Sequence, residues 1–269
     1  MERKMQFTVP PTLPEGCIAN ILSFTSPLDA CRSALVSPTF RSAASSDAVW
    51  ERFLPADYQD IISKSSLKLS SLDSLSKKDL FFHLCHHPVI LNNGSLSFTL
   101  DKWTGKKCYM LGARELSIIW GDTRTYWRWL SRPESRFSEV AELKVVCWLN
   151  IKGKIDTKII STKTTYAAYL VYKFAEVRHG FKQSPVVVQV KFEEEEGGVT
   201  SRVFLDPPSA TREQSQHREN GWMEIKMGEF YNEQGDDGTV VCSLWEADNF
   251  KCKHGLIIEG IELRPKRNL

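Results

Sequence analysis

Between Leu13 and Pro55 apolar residues recur at helical intervals, interrupted by prolines. Pro14 stands ahead of Ile18, Ile21 and Leu22, whose i, i+3, i+4 spacing puts all three on one helical face. Ser26 is placed to cap a second helix that carries Leu28, with Pro27 at its first position and Asp29 at its third, where a carboxylate favours the exposed amides. Ser37-Pro38 repeats that start signal after Val36 and ahead of Phe40, Ala43 and Ala44. Asp47 opens a fourth helical piece with Val49, Trp50, Phe53 and Leu54, and Pro55 ends it. About 45 residues of short helices bury too little apolar area to offset an ordering cost of about 1–2 kcal/mol per residue. Either a partner surface covers them or they pack on the downstream part of the chain.

Serine then takes seven of the fourteen positions from Ser63 to Ser76, broken by Leu67, Leu69, Leu72 and Leu75, which is the composition of a flexible connector. Ser76 with Asp79 starts a helix whose apolar residues are Leu80, Phe81 and Leu84, stopped by Pro88. Beyond it the period becomes two. Asn93-Gly94 predicts a tight turn into a strand with Leu96, Phe98 and Leu100 on one side. Further strands are predicted over 116–120, 143–151, 166–174, 186–192, 223–230, 240–245 and 256–263. Many short strands with scarcely a helix indicate a sandwich or barrel. The polar, breaker-rich segment 207–220 is expected to be a surface loop.

Composition narrows the classes. A net charge of +2 argues against a nucleic-acid binder. No apolar run approaches the roughly 20 residues of a membrane span, and the start MERKMQFTVPP lacks the apolar core of a signal peptide. A soluble protein of the cytoplasm, the nucleus or both is expected. The seven cysteines form no CxxC pair, so reduced thiols are expected.

The Leu13–Pro55 stretch resembles an F-box, carried by Leu13-Pro14, Ile18, Ile21, Leu22, Leu28, Val36, Phe40, Val49-Trp50 and Phe53. The resemblance implies a docking module that binds a Skp-family adaptor and, through it, the cullin of an SCF-type ubiquitin ligase, with these residues as the adaptor-binding set. A second resemblance begins at the aromatic block. GARELSIIWGDTRTYWRW, RFSEVAELKVVCWLNIKGKI, TTYAAYLVYKF, NGWMEIKMGEF and GLIIEGIELRPK follow one another as do the motifs of the phloem protein 2 family of plant lectins. It implies an α+β chain: an all-α F-box at 13–55, a connector at 56–77 and an all-β, jelly-roll-like sandwich at 78–269 that recognises a target.

Trp120, Tyr126, Trp127 and Trp129 crowd into ten residues, interleaved with Asp122, Arg124 and Arg128. Rings stack on the C–H faces of sugars while Asp and Arg meet the hydroxyls, but the same rings equally suit a sandwich core. The lectin resemblance places Trp120 and Trp127 on family tryptophans, and Trp129 and Lys253 join them as carbohydrate-binding candidates. Relatives commonly carry a Trp-Lys pair before the last strand; here Cys252 stands in the place of that indole, and Asn220 replaces a usual Asp. Weak or absent binding of N-acetylglucosamine oligomers is therefore expected, with a protein or glycoprotein as the target.

His83, His86 and His87 share a helical face, but no fourth metal ligand or HExxH accompanies them. The run Glu193 to Glu196 is a solvated hairpin end, because neighbours on a strand point to opposite faces. With no nucleophile and base combination and no phosphate-binding loop, neither an enzyme nor a cofactor is expected. The chain is read as the substrate receptor of an SCF ligase, the alternative being a free carbohydrate-binding lectin whose F-box has lost its partner.

Overall fold

The computed structural model describes residues 13–65, 72, 74–182, 184–207, 215–246 and 251–266. Four short helices form where the prolines and serines place them: α1 Glu15–Leu22, α2 Pro27–Ser33, α3 Pro38–Ser45 and α4 Asp47–Phe53. The Ser26 hydroxyl accepts the Asp29 amide at 3.1 Å and donates to its carboxylate at 2.7 Å. Ser37 accepts the Phe40 amide at 3.2 Å. Each satisfies an amide that the helix itself leaves unpaired.

The segment 56–77 departs from a simple connector. Residues Tyr58–Ser63 form α5, with Tyr58, Ile61 and Ile62 buried, and Leu72 is buried too. Leu67 and Leu69 lie outside the described residues. Helix α6, Lys77–His86, starts at Ser76, whose hydroxyl accepts the Asp79 amide at 3.1 Å. Its first turn is tied back to the helical unit: the Lys77 amide donates to Asp47 at 2.9 Å, and its ammonium contacts Glu51 at 2.9 Å and donates to the Tyr58 hydroxyl at 2.6 Å.

Fourteen strands come after it among the described residues. They are β1 Val89–Leu91, β2 Leu96–Leu100, β3 Lys107–Gly112, β4 Ser117–Ile118, β5 Trp127–Leu130, β6 Val140–Leu143 and β7 Leu149–Asp156. Then come β8 Thr164–His179, β9 Val186–Phe192, β10 Thr200–Val203, β11 Ser215–His217, β12 Met223–Asn232, β13 Thr239–Glu246 and β14 His254–Pro265. One sheet runs β1-β2-β3-β14-β8-β12-β11, with β6 joining β14 and β5 joining β6; the facing sheet runs β10-β9-β13-β7-β4. The pairs are antiparallel. The turn into β2 holds Asn92, Asn93 and Gly94 at φ 49°, 53° and 98°, the left-handed region that Asn and Gly tolerate best.

Alternation sets the sandwich. In β7, Leu149, Ile151, Gly153 and Ile155 are buried while Lys152, Lys154 and Asp156 face out. A side chain at Gly153 would approach Leu111 and Leu116 at 3.0 Å and Ile261 at 3.1 Å, so glycine lets the sheets close there. The central strand β14 changes parity midway: Leu256 and Ile258 enter the main core before a bulge between Ile258 and Gly260, and Ile261 and Leu263 enter it afterwards. The extra residue resets which positions face inward. The opposite face of this sheet carries a smaller apolar cluster of Met110, Phe137, Val140, Val171, Trp222 and Ile257.

The predicted strand over 143–151 is two, β6 and β7, separated by residues 144–148, and the one over 116–120 shrinks to Ser117–Ile118. Of the predicted 207–220 loop, residues 215–217 pair with β12, and 208–214 lie outside the described residues.

The helical unit and the sandwich share one continuous apolar core. Trp50 joins them. It is fully buried, its indole N–H donates to the Ala44 carbonyl at 2.7 Å, and its ring lies 5.2 Å from both Phe81 and Phe82 of α6. Asp57 pairs with Lys107 of β3 at 2.6 Å, and Gly105, at φ 71°, packs against the Phe53 carbonyl. Among the described residues no helix is long and apolar enough to cross a membrane.

Candidate functional site

Two surfaces stand out. On the helical unit, the expected adaptor-binding residues divide by burial. Ile18, Leu22, Val49, Trp50 and Phe53 are inside the chain's own core, because the helices pack on one another and on α6. Leu28 and Phe40 are half-buried and Pro14 is exposed. The large apolar side chains left to solvent are Leu13, Ile21, Phe24, Leu35 and Val36, with Ile21 54% and Leu35 80% exposed. Phe24 carries the Arg52 guanidinium 4.0 Å above its ring. Phe24 and Leu35 are not among the residues the sequence pointed to. Phe24 comes after α1 and Leu35 after α2, where helical spacing no longer applies.

On the sandwich, the four carbohydrate-binding candidates separate in the same way. Trp120 is 41% exposed and stacks on Trp148, 40% exposed, at 5.2 Å and 21° between planes; Tyr126 lies 5.1 Å from Trp120 on another side. The three rings form an aromatic platform. Trp120 holds φ at 55°, a left-handed conformation rare for a bulky residue, with a strain of order 1–3 kcal/mol.

What holds it there is a pair of indoles expected, from the sequence, to contact ligand. Trp127 is 1% exposed and donates its indole N–H to the Ile119 carbonyl at 3.1 Å; Trp129 donates to the Gly121 carbonyl at 3.0 Å. As i and i+2 of β5 they share a face, so they grip the two carbonyls on either side of Trp120. Trp127 is therefore a bracing residue rather than a sugar platform. Trp129 is half-buried beneath the Arg114 guanidinium, 3.6 Å from its ring centre, and Arg114 pairs with Glu139 at 2.9 Å. A cleft of about 490 Å³ beside it includes Asp122, Arg124, Arg128 and Lys144 in its walls.

Lys253 is buried as well. It is 0% exposed, its ammonium pairs with the buried Glu246 and donates to the Cys147 and Lys251 carbonyls at 2.9 and 3.0 Å, and it is turned away from solvent. A buried ammonium needs such partners. Trp148, absent from the sequence-based candidates, takes the exposed position. It sits in the break between β6 and β7, where an unbroken apolar strand was expected. Cys252 is exposed, with its sulfur 3.6 Å from that of Cys147.

The outer face of the larger sheet carries a network of charges. Arg218 bonds Glu224 and Glu262, Arg264 bonds the same two carboxylates, and Arg136 pairs with Glu262 at 3.3 Å. Burial would raise the Glu262 carboxyl, but Arg218, Arg136 and Arg264 together outweigh it and hold it below its ordinary value. Glu259 is pushed the other way by burial. His83 and His87 stack at 4.4 Å, and no group of three or more metal-binding side chains occurs among the described residues.

A helical docking unit with an exposed apolar set, fused to a sandwich with an aromatic platform, defines an F-box protein with a lectin-like recognition domain. Family models agree: the F-box domain matches residues 11–52 and Phloem protein 2 matches residues 106–265. The Arabidopsis thaliana "Putative F-box protein PP2-B12" is 46% identical over 258 residues, covering 96% of this chain and 98% of its own length. "F-box protein At2g02240" from the same plant is 44% identical over 263 residues, covering 95% and 80%. The chain belongs to this PP2-B family of F-box proteins with a phloem protein 2 domain. A solved carbohydrate-binding module in complex with β-1,4-galactotriose is 9% identical over 56% of this chain and 87% of its own, at a TM-score of 0.30, too remote to bear on function.

Proposed function

We propose that this protein is the substrate receptor of an SCF-type ubiquitin ligase. Leu13, Pro14, Ile21, Phe24, Leu35 and Val36 bind a Skp-family adaptor, and the Trp120–Tyr126–Trp148 platform takes a glycan or the glycosylated part of a protein. The observation that carries this is the division of the F-box apolar residues: one set is consumed by the chain's own core, and the other stays in water although it is large and apolar. The protein contributes no reacting group; it holds a target at high effective concentration beside the ubiquitin-carrying subunits of a cullin complex in the cytoplasm or nucleus.

Two flat rings and a third at an angle suit the C–H face of a pyranose, and Asp122 and Arg124 lie in the same loop for hydroxyls. The test is adaptor pull-down together with a glycan array that includes N-acetylglucosamine oligomers, using wild type, Ile21→Asp and Trp148→Ala. Ile21→Asp should lose the adaptor alone and Trp148→Ala the glycan alone. Adaptor capture unchanged by Ile21→Asp would overturn the docking assignment; glycan binding without any adaptor capture by wild type would favour the free lectin.

A further inference from the structure

The segment just before Trp148 and the segment just before β14 meet through one antiparallel bridge, Val146 to Lys253. Both bonds of that bridge are made: the Val146 amide donates to the Lys253 carbonyl at 3.1 Å, and the Lys253 amide to the Val146 carbonyl at 2.7 Å. In an antiparallel pair the residues next to such a doubly bonded position face each other without hydrogen bonds, with Cα atoms about 4.5 Å apart. Those residues are Cys147 and Cys252. A disulfide needs Cα atoms roughly 4.4–6.8 Å apart, so the backbone already has the required spacing. The sulfurs are 3.6 Å apart, and both side chains are exposed.

We propose that Cys147 and Cys252 form a reversible disulfide site that locks the base of the Trp120–Trp148 platform. Three fixtures hold the pair in place before any bond forms. The Lys253 ammonium donates to the Cys147 carbonyl, the bridge holds the neighbouring residues, and Gly180, at φ 89°, lies so close to the Cys252 carbonyl that a Cβ there would sit 2.7 Å from it. The shared hydrogen bond with Cys252 raises the Cys147 thiol above its ordinary value, as expected when two thiols face each other. Elsewhere, burial pushes Cys85 and Cys242 up to about 12 and Cys108 well above its ordinary value, which leaves those thiols unreactive.

The chemistry balances with a hydroperoxide as oxidant. One thiolate of the pair attacks the peroxide oxygen, giving a sulfenic acid and releasing the reduced oxygen as water or alcohol. The second thiolate then displaces the hydroxyl as water, and the sulfur–sulfur bond forms; two thiols and one peroxide have become a disulfide and two molecules of hydroxylic product. A small-molecule disulfide serves equally by two exchanges that release two thiols. The sulfurs close from 3.6 Å to about 2.05 Å by rotation of the two side chains on a backbone that is already pinned by the bridge. The disulfide chemistry stands without the proposed function; only its consequence for recognition rests on the platform.

The full chain, equilibrated in glutathione buffers of graded oxidised fraction, acid-quenched, alkylated and digested, reads the site directly. The expected result is one intrachain peptide joining Cys147 to Cys252, a mass about 2 Da below the reduced protein, reversal by dithiothreitol, and Cys17 and Cys31 still open to alkylation. Oxidation should raise the thermal midpoint of wild type and leave that of Cys252→Ser unmoved. Separate glutathione adducts on the two cysteines, or a linkage between two chains in place of the intrachain peptide, would overturn the proposal, as would persistence of both free thiols in the most oxidising buffer.

Discussion

The indole N–H of Trp127 donates to the Ile119 carbonyl at 3.1 Å, and Trp120 begins one residue later with its ring in water. A buried tryptophan thus fixes the peptide that an exposed one depends on. Trp127→Ala should destabilise the protein by about 3–5 kcal/mol, as large-to-small changes at buried rings do. Trp120→Ala should cost about 1 kcal/mol or less, the worth of an exposed ring pair. Thermal melts and glycan binding on both variants check this: Trp120→Ala is expected to melt near wild type while losing glycan, and Trp127→Ala to lose both.

The helical unit and sandwich should unfold together. Trp50→Ala removes a ring that packs on Phe53 at 5.5 Å and on Phe81 and Phe82 at 5.2 Å, so a loss of about 3–5 kcal/mol is expected across the whole chain. Denaturation monitored by far-ultraviolet dichroism and by tryptophan fluorescence should give coincident transitions. A fragment starting at Lys78 should be less stable and less soluble than one starting at Leu13, since it bares Phe81 and Phe82.

Ile18 and Ile21 are three residues apart on α1 and should respond oppositely. Ile18→Asp puts a charge in the core and should cost several kcal/mol of stability. Ile21→Asp changes a solvent-facing group and should leave the melt within about 0.5 kcal/mol of wild type. Circular dichroism melts of the free protein, with no adaptor present, distinguish them.

Lys253 and Glu246 form a buried ion pair, so removing one partner strands the other. Lys253→Met should destabilise by about 3–5 kcal/mol, and the double variant Lys253→Met with Glu246→Leu should recover part of that loss. A double-mutant cycle by urea denaturation measures it.

Glu262 should make the protein sensitive to acid. Its carboxyl titrates lower in the folded chain than in the unfolded one, so the stability it contributes is present above the unfolded value and is lost as pH falls through the folded one. Glu259, raised by burial, has the opposite sign: its contribution is present below its unfolded value and fades as pH rises through the folded one. Glu262→Gln should be less stable than wild type at neutral pH, with the gap narrowing on acidification, as seen in urea midpoints across that range.

Local chemistry made the helices and most strands legible. Serine before proline fixed the starts of α2 and α3, with an acid at the third position of α2 as well, because capping depends only on neighbours. Short apolar runs bounded by turn residues placed β9, β12, β13 and β14, which likewise depends on near neighbours. The site was harder to read, because exposure of an aromatic ring is set by which segments lie over it. Trp120 and Trp127 are seven residues apart, yet β5 buries one and a left-handed turn exposes the other. Lys253 looked like a loop-mouth group because its partner Glu246 and the Cys147 carbonyl are brought to it by β13 and by a segment 106 residues upstream. The burial of Ile18, Leu22, Val49, Trp50 and Phe53 was likewise not legible, because it is set by how α1, α3, α4 and α6 pack on one another.

Trp50 packs α4 on α6, α6 packs on β2, and Asp57 pairs with Lys107 of β3, so the helices and the sheet form one body and that fixes an angle. A receptor jointed by a loose tether would sweep its cargo past the ubiquitin donor and expose many lysines in turn. If the chain serves as the proposed receptor, a rigid joint would present cargo in a single pose, and which lysine is reached would depend on how the cargo is seated on the platform. Two targets of equal affinity could then differ widely in their rate of modification, and lengthening the turn between α4 and α5 by glycines would blur that distinction without touching either binding surface.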